Sequence, residues 1–112
     1  MMDADARFDY DGPADLRAPI AAALARVVDP ELALDIVDIG LVYAVHVGAD
    51  ALTVRMTMTS AACPVTDLIV EEVEQALAPL APPGTPVRVD MVWEPPWTPE
   101  RLSERARRFM GG

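Results

Sequence analysis

The chain of 112 residues has no lysine; its nine cations are all arginine, set against eighteen acidic residues, for a net charge of -9 and a pI of about 4.3. That balance excludes the phosphate-neutralising surface on which non-specific nucleic-acid binding depends. There is one cysteine, so no internal disulfide, which agrees with a reducing compartment. The single histidine, His46, and the single cysteine are expected to lie far apart, which argues against a closed zinc site. No apolar run is long enough to cross a bilayer, and the acidic start MMDADARFDYDG lacks the basic-then-apolar order of a signal peptide. A cytoplasmic protein without membrane or nucleic-acid partners is expected. About half the residues are apolar, enough for one modest core.

The stretch that organises the rest is Thr57 to Asp67, TMTSAACPVTD. A strand-like alternation, Leu52 to Thr59, runs into it, and a helical pattern leaves it through Val65, Ile69, Val73, Ala76, Leu77 and Leu80. Pro64 suits a first helical position, because its fixed φ fits there and its missing N–H has no intrahelical use. Cys63 then falls at the N-cap, where orphan N–H groups and the positive end of the helix dipole favour a thiolate. Thr59 and Ser60 add hydroxyls. A partly accessible thiol, more acidic than a free cysteine, is expected; a small buried cysteine is the alternative.

Residues 1–14 read as an acidic flexible tail, and residues 15–112 as a single domain. Helix one is expected to start between Asp15 and Pro19 and to run to about Val28, stopped by Asp29-Pro30. The following DPELALDIVDIGL, residues 29–41, is an interrupted acidic loop or single turn. Asp29, Glu31, Asp35 and Asp38 have no EF-hand spacing, so capping and loop solvation are the expected roles. A hairpin follows, with strands over 41–47 and 51–58. Alternation places Leu41, Tyr43, Val45, Val47, Leu52, Val54, Met56 and Met58 in the core, and His46, Thr53, Arg55 and Thr57 on the other face. His46 is then kept from Cys63 by a strand of about eight residues, roughly 25 Å, which argues against a cysteine–histidine pair.

Helix two is expected over about Pro64 to Leu80, and a third strand from Val87 to about Glu94, carrying Val87, Val89 and Met91 to the core. Pro95 and Pro96 end that strand. Trp93 should anchor its end, and Trp97 should pack a last helix, capped by Thr98, onto the body. The arginines at 101, 105, 107 and 108 read as a solvated helix end. The order α-β-β-α-β-α predicts an α+β two-layer sandwich with a small three-stranded mixed sheet, the third strand parallel to the second.

DPELALDIVDIGLVY, TMTSAACP and EPPWTPERLSERAR, in that order, resemble the metal–sulfur cluster biosynthetic family. It takes in SufT-like and PaaD-like proteins and the eukaryotic cytosolic iron–sulfur targeting factor. The resemblance runs from about Ala18 to Gly112. It implies an iron–sulfur cluster assembly domain-like fold and an accessory, non-enzymatic role in assembling or delivering clusters to client apoproteins. The family's motif positions fall on Asp29, Glu31, Leu32, Asp38, Thr59, Ser60 and Cys63. Ser60 departs from the common threonine but keeps the hydroxyl. PaaD-like members often carry a cysteine-bearing C-terminal extension, and the ending at Gly112 favours the stand-alone type.

A cluster normally takes four thiolates, and one chain offers one. Cys63 is therefore expected as a transient iron–sulfur ligand, aided by a homodimer, by small thiols or by an assembly partner. The other reading is a protein–protein adaptor, for example in a phenylacetate-type oxygenase complex, presenting Pro95–Pro99 and its tryptophans to a client. At least one of Asp29, Glu31 and Asp38 is expected to approach the Cys63 turn.

Overall fold

A computed structural model describes residues 8–30, 32–59 and 66–109. Glu31, Ser60 and Cys63 lie outside these residues. The elements are β1 (Asp9–Asp11), α1 (Ala14–Leu24), β2 (Val28–Asp29), β3 (Leu34–Asp35), α2 (Ile36–Ile39), β4 (Val42–Val47), β5 (Leu52–Met56), α3 (Thr66–Leu77), β6 (Val87–Met91) and α4 (Glu104–Phe109).

The architecture is α+β. The main sheet has the order β1-β4-β5-β6, with β4 and β5 antiparallel and β6 parallel to β5, so the mixed sheet and the α3 crossover are as expected. It has four strands and not three. Asp9–Asp11, inside the stretch read as a tail, pairs parallel with β4, Tyr10 opposite Val45. Three residues rich in aspartate carry little strand propensity, and the sheet edge supplies what they lack.

One face of the sheet is packed by α1 and α3. Ile69, Val73 and Leu77 recur at four-residue spacing and are buried, as are Ile20 and Leu24 of α1. They meet Val45, Leu52, Val54 and Met56, all fully buried. Val87, Val89 and Met91 pack on this core but stay half exposed, because β6 is an edge.

The face assignment fails at two places. The register slips between Val42 and Ala44, which pair with Met56 and Arg55. The extra residue is Tyr43. A bulge of this kind reverses side-chain parity. Val42 turns into the core, and Tyr43 points to the open face with its hydroxyl donating to the Pro95 carbonyl at 2.6 Å. Thr57, expected on the open face, lies past the end of β5 and is fully buried.

Helix boundaries also move. α1 takes in Pro19 and ends at Leu24, before Asp29-Pro30, because Val28–Asp29 is used by a small ladder with Leu34–Asp35. Thr98 makes no capping bond; it precedes a 3-10 turn, Pro99–Arg101. α4 starts later, where the Ser103 hydroxyl accepts from the Ala106 N–H at 3.0 Å. Trp93 does not anchor β6: it is 43% exposed.

Candidate functional site

The segment 29–43 is the hub of the site. Its acidic half begins with Asp29, fully buried, whose main-chain carbonyl accepts from the N–H groups of Leu32 and Ala33. Ala33 is held at a φ of 59°, a left-handed conformation that a residue with a Cβ seldom adopts. Leu32 packs its side chain on the core. Asp35 then caps α2: one carboxylate oxygen accepts from Val37 and Asp38 N–H groups at 3.0 and 2.9 Å. The helix is a single turn because Gly40 closes it in the left-handed conformation, φ 86°.

A one-turn helix exposes its last carbonyls. Here three consecutive ones are met by the C-terminal segment. Ser103 N–H donates to the Asp38 carbonyl at 2.8 Å, Trp97 Nε1 to Ile39 at 2.8 Å and Arg101 Nε to Gly40 at 2.9 Å. The Arg101 guanidinium also lies 4.1 Å from the Tyr43 ring centre. Arg105 completes the joint, with Nε 3.2 Å from an Asp38 carboxylate oxygen and an Nη 3.9 Å from Asp35. Burial raises the Asp35 pKa, and the neighbouring Asp38 carboxylate adds to it, against the pull of the capping N–H groups.

The end of β5, which runs on in sequence to the cysteine, is tied to the same hub. Thr57 N–H donates to the carbonyl of Leu41, the residue after Gly40, at 2.8 Å, and Val92 N–H donates to Met56 at 2.8 Å. The chain therefore leaves β5 toward Cys63 beside α2 and at the carboxyl ends of the parallel β5 and β6, where open α/β sheets commonly place their sites. The Thr57 hydroxyl is buried with no hydrogen-bond partner among the described residues. Thr59 is half buried. Asp29, Leu32 and Asp38 lie together in the segment 29–43, and the expected approach of a carboxylate to Cys63 concerns a residue outside those described. No cluster of His, Cys, Asp or Glu that could hold a metal ion occurs among the described residues.

Sequence reasoning passed over Asp35, Thr57 and Arg101 as site residues. Asp35 had a legible signal, an aspartate just before an apolar turn. Thr57 and Arg101 fall inside the matching motifs but carry no local mark of their roles, which come from contacts far along the chain.

His46 stands apart. It is exposed on the open face, as expected, and bonded across the strands to Asp11 at 2.8 Å.

A family profile described as an iron–sulfur cluster assembly protein matches residues 17–91. A Bacillus subtilis protein named Fe-S protein maturation auxiliary factor YitW is 47% identical over 86% of this chain and 94% of its own. The Staphylococcus aureus Fe-S protein maturation auxiliary factor SufT is 43% identical over 76% of this chain and 97% of its own. A crystal structure of a domain of unknown function, DUF59, from Bacillus anthracis superposes with a TM-score of 0.76 at 41% identity, covering 82% of this chain and 88% of that one.

Proposed function

Because this chain belongs to the iron–sulfur cluster assembly protein family, we propose that it is an accessory factor that helps assemble or deliver iron–sulfur clusters to client apoproteins, with Cys63 as the residue that meets iron or sulfur. The observation that carries this is the joint at α2. Three separated sequence motifs converge there through hydrogen bonds accepted by main-chain carbonyls, and the segment leading to the sole thiol departs from it.

The cluster is cargo. A cluster normally takes four thiolates and one chain brings one, so the others come from a donor, a client or small thiols during exchange. A thiolate is the form that binds iron and exchanges. The buried joint supports this role by holding the base of the loop still while the thiol changes partners. Asp29, Glu31, Leu32, Asp38, Thr59 and Ser60 are proposed to shape that loop.

The test is anaerobic reconstitution with iron and sulfide, followed by transfer to an apoprotein, for wild type and Cys63→Ser. Wild type is expected to develop cluster absorption and to speed transfer; Cys63→Ser is expected to lose both while keeping its fold. Transfer undiminished in Cys63→Ser would sink the thiol role. A second reading, an adaptor without cluster chemistry, is favoured by the exposed Trp93 but not by Trp97, whose indole is engaged with Ile39. It requires client binding and activation to survive Cys63→Ser.

A further inference from the structure

The outer edge of β6 carries a pattern that matches itself. The bonds Leu52 N–H to Pro86 O and Val92 N–H to Met56 O, both 2.8 Å, set the phase of the parallel ladder. Backbone groups of residues 86, 88, 90 and 92 face β5. Those of Val87, Val89 and Met91 therefore face outward. No hydrogen bond engages them among the described residues.

We propose that this edge pairs with a second copy of the chain, antiparallel and centred on Val89. In that register Val89 faces the partner's Val89, and Val87 faces the partner's Met91 at both ends. All three outward positions then fall on hydrogen-bonded pairs, giving about six new backbone bonds and a continuous eight-stranded sheet. Arg88 and Asp90 fall on the closer, non-hydrogen-bonded pairs, each opposite the other's counterpart. Both are exposed, and the register sets opposite charges together twice on the open face. On the helix face the half-exposed Val87, Val89 and Met91 cover one another. The interface is isologous and closes after two copies.

The opposite edge gives the contrast. β1 is three residues long, and the same operation about Tyr10 would set Asp9 against Asp11. Like charges in directly opposed positions repel, so that edge rejects its own copy. No proline interrupts residues 87–91. In the proposed pair the two exits from β5 toward Cys63 lie at opposite ends of the shared ladder, roughly 20 Å apart from strand spacing and rise.

The experiment uses charge reversal at exposed positions, with the fold checked by circular dichroism. By sedimentation equilibrium wild type is expected to dimerise. Arg88→Asp alone and Asp90→Arg alone each place like charges opposite one another twice, and each is expected to weaken the dimer about tenfold or more. The double variant R88D/D90R restores both pairs and is expected to dimerise like wild type. Amide exchange at Val87, Val89 and Met91 should slow as concentration rises. A wild type that stays monomeric at about 1 mM, or a dimer indifferent to both single reversals, overturns the proposal.

Discussion

The indole N–H of Trp97 donates to the main-chain carbonyl of Ile39 at 2.8 Å, joining the proline-rich crossing to the single turn of α2. This contact shows Trp97 to be a structural residue, as the sequence reading expected, and it removes the need for any C-terminal cap on Ile39. Trp97→Phe keeps most of the ring and leaves that carbonyl unmet, and is expected to cost about 1 kcal/mol in urea denaturation. Trp97→Ala also removes the half-buried ring and is expected to cost about 2 kcal/mol or more.

Gly40 is the second pin of this joint. Its φ of 86° disfavours any side chain, and an added Cβ would run into the Arg101 carbonyl oxygen, which is backbone and cannot swing aside. Gly40→Ala is expected to lower stability by about 2 kcal/mol or more in thermal unfolding. An alanine variant as stable as wild type would show that the C-terminal segment docks loosely.

Asp35 predicts a pH dependence. Its pKa is raised above the ordinary 3.8, first by burial. A raised folded value means that the protonated form favours the fold. That stabilisation is complete below 3.8 and is lost as the pH rises through the folded value. Asp35→Asn keeps an oxygen for the Val37 and Asp38 N–H groups without the charge. The wild type is therefore expected to lose stability relative to Asp35→Asn across that window, and Asp35→Asn to be at least as stable at neutral pH. Asp35→Ala loses the cap and is expected to cost about 1 kcal/mol at any pH. Urea midpoints of the three proteins from about pH 3 to 7 check the sign.

Thr57 predicts a gain. The Thr57 hydroxyl is buried with no partner among the described residues, and a buried hydroxyl left unpaired carries its desolvation cost uncompensated. Thr57→Val, of the same shape, is expected to raise stability by about 1 kcal/mol, a Tm increase of roughly 4 °C. A loss of cluster transfer in this variant, with the gain in stability intact, would assign the hydroxyl to the working state.

The sequence by itself determined the α+β class, the antiparallel hairpin, the crossover through α3 and the parallel β6, because each rests on local periodicity and on punctuation by proline and glycine. It also determined the chemistry on offer: one thiol, no lysine and three motifs in order. Tertiary structure alone decided the rest. β1 is a strand only because β4 leaves an edge open, and nothing in Asp9–Asp11 announces it. Tyr43 leaves the core because one extra residue at the bulge reverses parity, a slip that alternation cannot register. Thr57 is buried because the chain bends to the Leu41 carbonyl after the last paired residue of β5. The site is assembled in the same way. The carbonyls of Asp38, Ile39 and Gly40 are satisfied by Ser103, Trp97 and Arg101, about sixty residues further on. Local pattern reports what a residue prefers among its neighbours in sequence. Which distant donor reaches a buried carbonyl is settled only when the chain closes on itself and its buried backbone groups must find partners.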